Sequence, residues 1–108
     1  MLTRSAIFEG RIHPGREEEF FDIIENSLLP IWRRMPHVQD VRLFRTLDKD
    51  MDAPQIILGQ QIDYPSRAAI DEALGSSVRD EAVAAFEPLT ELFDGRHYHF
   101  IFDKLTGE

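Results

Sequence analysis

The sequence predicts an α+β domain in which one antiparallel sheet carries its helices on a single face. Two observations point to this class. Four runs alternate apolar and polar residues, the period of a strand, and between them lie longer stretches whose apolar residues recur every three or four positions, the period of a helix. Their order along the chain is β-α-β-β-α-β.

The first strand is SAIFEGRI, residues 5–12, ended by Pro14-Gly15. Ala6, Phe8, Gly10 and Ile12 fall on one face, and Ile7, Glu9, Arg11 and His13 on the other. A helix follows over 16–35. Glu17, Glu18 and Glu19 suit its positive N-terminal end, and Phe20, Phe21, Ile24, Leu28, Ile31 and Met35 form its apolar stripe. Pro30 should kink or restart this helix and Pro36 stops it. The second strand spans 38–47 and the third 55–62, joined by the polar turn DKDMDAP. The second helical region begins at 63–74 with Ser66 as its cap, breaks at GSS, and resumes over 78–93. Within it, Pro88 kinks the helix or opens a short extra one, and Gly95 suits the residue just past its end. The fourth strand is the histidine-bearing stretch of GRHYHFIF, residues 95–102.

With these elements the simplest arrangement is ferredoxin-like, with strand order 4-1-3-2 and helices on one face. The chain of 108 residues fits one domain, 1–108, without a second. A composition of 43% hydrophobic and 30% charged residues is too apolar for disorder. The net charge of −8 disfavours binding to nucleic acid and to anionic membranes. There is no cysteine, no apolar run long enough for a signal peptide and none approaching a membrane span, which together suit a cytoplasmic protein.

A monomeric sheet with one wet face should alternate cleanly, and this one does not. Ile7, Phe44, Ile57 and Ile101 are assigned to the face away from the helices. A second copy of the chain is the expected cover, making a homodimer whose two sheets enclose a shared barrel.

The stretch REEEFFDIIENSLLPIWRRMPHVQDVRLFR, residues 16–45, resembles the first helix and second strand of the ethyl tert-butyl ether degradation (EthD) family, with Glu18-Glu19-Phe20, Pro30, Arg33-Arg34 and Pro36 as the shared marks. That family belongs to the dimeric α+β barrel superfamily, with the antibiotic-biosynthesis monooxygenases and the stress-responsive A/B barrel proteins. The resemblance implies a dimeric α+β barrel. Ile24 and Leu28 stand where the family often carries Trp and His, and Ile62 where monooxygenase relatives often carry Trp. No functional residue is therefore carried over.

Antiparallel pairing of the first and fourth strands gathers candidate residues. If Tyr98, Phe100 and Phe102 face the helices, then His97 and His99 face the barrel interior with Glu9, Arg11 and His13, beside a cavity lined by Ile7, Phe44 and Ile57. In this reading His97 and His99 move protons, Glu9 orients an imidazole, and Arg11 holds an anionic or enolate oxygen. His13, Ile7, Phe44 and Ile57 contact the ligand. The opposite orientation of the fourth strand puts Tyr98 in the cavity instead. The leading function is binding, with cofactor-free monooxygenase- or isomerase-like chemistry, of a small aromatic or enol-like molecule. A non-catalytic ligand-binding or accessory protein is the second reading. A metal or haem protein is the third, because His-x-His on a strand can present two nitrogens to one ion. Structural roles weigh against every one of these residues: an ion pair for Glu9 and Arg11, and satisfied polar groups for the histidines. Trp32 reads as packing at the subunit boundary, Arg33 and Arg34 as a solvated helix face, and Gln60 and Gln61 as residues able to line the barrel.

Overall fold

In the computed structural model, which describes residues 1–107, the strands are β1 (Leu2–Ile12), β2 (Asp40–Arg45), β3 (Ile56–Tyr64) and β4 (Phe93–Asp103). They form one antiparallel sheet in the order β2-β3-β1-β4, the ferredoxin-like arrangement that the sequence predicts. The helices are α1 (Glu17–Asp22), a π-helical turn (Ile23–Leu28), α2 (Leu29–Trp32), α3 (Arg67–Leu74), α4 (Ser77–Phe86) and a 3₁₀ helix (Glu87–Glu91). Among the described residues, no helix is long and apolar enough to cross a membrane.

The kink expected near Pro30 is built as a wide turn. The Leu29 N–H bonds to the carbonyl of Ile24, five residues back instead of four. Pro30 has no N–H to give, and its ring needs room where the carbonyl of Asn26 would otherwise press. The widened turn keeps the apolar stripe buried: Phe20, Ile24 and Leu28 are at most 1% exposed. Ser66 caps α3, its Oγ accepting from the Ala69 N–H at 3.1 Å. Ser76 caps α4 in the same way through the Arg79 N–H at 3.3 Å. Pro88 opens the 3₁₀ helix.

Gly95 belongs to β4 and does not end a helix. It lies directly across from Gly10, and both have positive φ, +155° and +143°. A Cβ on Gly95 would stand 2.0 Å from the Glu9 carbonyl oxygen. Only glycine lets the two backbones meet there.

The register assigns each face. Toward the helices point rows such as Leu43, Gln60, Ala6 and His99, and Arg45, Leu58, Phe8 and His97. Phe8, Leu58, Ile62 and Ile70 pack in the core there. Each fully buried side chain of this kind contributes about 1.5–3 kcal/mol. On the outer face lie Phe44, Gly59, Ile7 and Tyr98 in one row, with Phe100 and Phe102 beyond. Phe44 is 52%, Phe100 47% and Phe102 48% exposed, so this face is apolar as expected. Two members of the predicted set are placed otherwise. Ile101 pairs with Arg4 on the helix side, and Ile57 sits in a bulge of β3 and packs against the core.

One buried ionic group anchors the outer face. Asp63, 3% exposed, accepts from Thr3 Oγ1 at 2.7 Å and from both terminal nitrogens of Arg42 at 2.7 and 2.9 Å, with Lys104 Nζ 3.6 Å away.

Candidate functional site

A cavity of about 210 Å³ opens between the sheet and the helices, inside one subunit. Small residues make the room: Ala6 sits in mid-sheet and Ala82 on the facing side of α4. Phe8, Phe86 and Trp32 form an aromatic wall, and Leu28, Met35 and Ile62 continue it. The polar groups are Arg4 on β1, Gln60 and Tyr64 on β3, Arg79 in the first turns of α4, Glu87, and His97 and His99 on β4. The His97 ring stacks on Phe8 with centres 5.6 Å apart and lies 4.8 Å from Phe86. The His99 ring meets His97 edge-on at 5.6 Å. Because β4 is an edge strand, both imidazoles line the cavity while keeping part of their surface exposed.

The site is electropositive within an acidic chain. Arg4 and Arg79 are half-buried, and neither has an ion-pair partner among the described residues. By contrast Arg16, Arg34, Arg42, Arg67 and Arg96 are each paired. Burial lowers the pKa of Arg4, and Arg79 lowers it further, with Tyr64 pulling back. Burial raises the pKa of Tyr64, against the pull of the two guanidiniums. His97 is shifted down by burial, then by Arg79 and Arg4. His99 is pushed down to about 4, by burial first and then by Arg4, His97 and Arg79. Both imidazoles are therefore neutral at pH 7 and offer one donor and one acceptor nitrogen each. Gln60 is 4% exposed, and its amide oxygen has no donor among the described residues. A buried acceptor of this kind costs about 1–3 kcal/mol while unmet.

The five-residue polar cluster expected from the sequence is divided by the sheet. His97 and His99 pair with Phe8 and Ala6, so they face the helices. Glu9 lies on the outer face, accepting from Tyr98 Oη at 2.8 Å, with Arg96 3.7 Å away and its guanidinium carbon 4.9 Å from the centre of the Tyr98 ring. Arg11 is exposed, across from Asp94. His13 lies past the end of β1, 3.2 Å from Asp94. Ile7 and Phe44 share the outer face with Glu9, the face expected to line a barrel between two sheets, and Ile57 sits in the bulge; none of the three lines the cavity between sheet and helices. The reason is the orientation of β4: Tyr98, Phe100 and Phe102 point to the outer face, the alternative that the sequence left open. Trp32 is 7% exposed and lines the cavity. Gln61 is on the outer face, accepting from Arg42 at 3.2 Å, whereas Gln60 reaches the cavity. Among the described residues, no group of three His, Cys, Asp or Glu side chains is gathered as a metal would need.

Sequence reasoning missed Arg4, Tyr64 and Arg79. Arg4 falls just before the run read as a strand, and Arg79 is one of several charges on a helix. One signal for the register was present. Setting Gly10 against Gly95 places Phe8 opposite His97 and Ala6 opposite His99.

No family model and no curated protein matches this chain. Solved structures do. An EthD-family protein from Bacillus halodurans matches with a TM-score of 0.72 at 18% identity, over 97% of this chain and 99% of that one. A variant of SnoaB, a cofactor-independent oxygenase from Streptomyces nogalater, matches with a TM-score of 0.67 at 19% identity, over 98% and 94%. A dimeric protein of unknown function with a ferredoxin-like fold, from Bacteroides fragilis, matches with a TM-score of 0.69 at 8% identity, over 94% of each chain. The EthD-family protein comes from a group that the sequence resembles, and the chain has the ferredoxin-like α+β fold of these neighbours.

Proposed function

We propose that the protein is a homodimer whose subunits each bind a small aromatic or enol-like molecule in the cavity between sheet and helices. The observation that carries this reading is the cavity itself: an aromatic wall on one side, and convergent polar groups without partners on the other. Its volume is below the roughly 300–1,000 Å³ of pockets for drug-sized ligands, so the ligand is small. A flat ring lying against the wall of Phe8, Phe86 and Trp32 would sit beside His97 and His99.

The chemistry such a site supports is proton removal from a phenol or enol. A neutral imidazole accepts the proton, and the guanidiniums stabilise the oxygen anion that forms. Oxygenation then needs only dioxygen: a methylene activated by the enol becomes a carbonyl, and the second oxygen atom leaves as water. The fold of a cofactor-independent oxygenase supports this reading as analogy only. One observation favours the second reading, a non-catalytic binder. A base held at about 4 is a weak proton acceptor near neutral pH.

Incubation with aromatic enols and quinols, following dioxygen uptake and product, separates the two. Turnover lost in His99→Ala establishes catalysis through that imidazole. A ligand-induced rise in melting temperature without turnover leaves the binder. No shift with any aromatic ligand sinks both.

The dimer would form through the outer face, where Phe44, Phe100 and Phe102 are exposed. The dimeric structural neighbour supports this assignment. Light scattering should give twice the chain mass at micromolar concentration, and Phe100→Asp should halve it. A monomeric wild type would refute the assignment.

A further inference from the structure

Arg4 and Arg79 face the same small cavity from opposite sides, one from the sheet and one from α4. An exposed guanidinium does without an ion-pair partner, as Arg11, Arg33 and Arg45 do among the described residues, but a half-buried one is ordinarily paired, as Arg42 is. These two are not, although the chain carries twenty acidic residues to choose from. Among the described residues the one carboxylate in the cavity lining is Glu87, at the exposed start of the 3₁₀ helix, and it forms an ion pair with neither. The second sign of an unfinished site is Gln60, whose buried amide oxygen also lacks a partner at the cavity wall.

We propose that Arg4 and Arg79 form an anion subsite that selects ligands carrying a carboxylate on a flat apolar ring. This rests on the reading of the cavity as a ligand site and names the class of ligand. A carboxylate presents two oxygens, which two guanidinium forks on opposite walls can share. The ring then lies against the apolar wall that Phe8, Phe86 and Trp32 form. Glu87 at the rim sets the charge: it tolerates a monoanion held by two cations but repels a dianion such as a phosphate ester. The acid group is thus a handle distinct from the reacting phenol or enol.

Calorimetry with three probes of one ring size tests this: 2-naphthoate, 2-naphthol and 2-naphthyl phosphate. Wild type should bind 2-naphthoate at least tenfold more tightly than either of the others. Arg79→Gln and Arg4→Gln should each weaken 2-naphthoate about tenfold to hundredfold, the worth of one charge-assisted contact, and leave 2-naphthol within about twofold. The exposed Arg33→Gln should change neither. Equal affinity for naphthoate and naphthol, or naphthoate binding indifferent to both cavity substitutions, overturns the anion subsite while the aromatic-binding reading stands. Tighter binding of the phosphate overturns the carboxylate assignment. Absence of binding by all three removes the ligand site and the inference together. Circular dichroism of each variant confirms the fold, so a misfolded protein is not counted as a loss of affinity.

Discussion

Substitution of Asp63 by asparagine removes a charge around which Thr3, Arg42 and Lys104 are arranged. Its side chain is only 4% exposed, so little solvent screens these contacts. The hydrogen bonds from Arg42 dominate, and against the cost of burial they hold the carboxyl at about 2, below its ordinary 3.8. At about 1.4 kcal/mol for each tenfold change in proton affinity, that difference stabilises the fold by roughly 2.5 kcal/mol. The sign follows from the depressed value. The stabilisation is complete above the unfolded carboxyl's titration near 4 and is lost as pH falls through about 2. Urea unfolding should be followed at one protein concentration, because dimer stability depends on concentration. Asp63→Asn should lose roughly 2–3 kcal/mol at pH 7, and the gap from wild type should shrink as pH falls below about 4. A loss under about 1 kcal/mol at pH 7, or a gap unchanged at pH 2, would refute the argument that this buried ion group is net stabilising.

Four further outcomes are expected. In an NMR titration His99 should stay neutral well below pH 6, and Arg79→Gln should raise its pKa; a wild-type midpoint near 6.5 contradicts the burial and charge assigned to the cavity. Since a depressed imidazole binds fewer protons folded than unfolded, His99 should weaken the fold as pH drops from above 6.5 toward 4, and His99→Gln should flatten that part of the stability profile. Gln60→Leu should stabilise the ligand-free protein by about 1–3 kcal/mol, because it removes an unmet buried acceptor; destabilisation would mean the amide is satisfied as it stands. Gly95→Ala should cost about 3 kcal/mol or more, with a clash against the Glu9 carbonyl added to a strained φ, and a cost below about 1 kcal/mol would contradict the close pairing with Gly10.

The fold was legible because strand and helix periods are strong where one face is buried. The β1 alternation of Ala6 and Phe8 against Ile7 and Glu9 is correct as read, and so is the apolar character of the outer face. The site was less legible because β4 violates the rule that apolar residues face the helices. Its histidines point in, toward a polar cavity, and its aromatics point out. In RHYHFIF the parity of Tyr98, Phe100 and Phe102 is the more apolar, so periodicity turns it toward the helices, opposite to the orientation the fold adopts. Assigning Gly95 to a helix end also hid the glycine pair that sets the register. Arg4 and Arg79 are 75 residues apart in sequence and meet only through the fold, which no local pattern encodes.

The wide turn between Ile23 and Leu28 bears on how this chain is compared with others. A π turn holds one residue more than the α turn it replaces, and each residue of a helix advances about 100° around the axis. Against a regular helix, side chains before the turn are therefore rotated by roughly that angle relative to those after it. A count from Pro30 back to Leu28 and Ile24 passes through this turn and changes phase on the way. An ungapped comparison with a relative lacking the turn matches either the start of the helix or its end, but not both. One residue removed between Ile23 and Leu28 is the gap that brings the two halves into step.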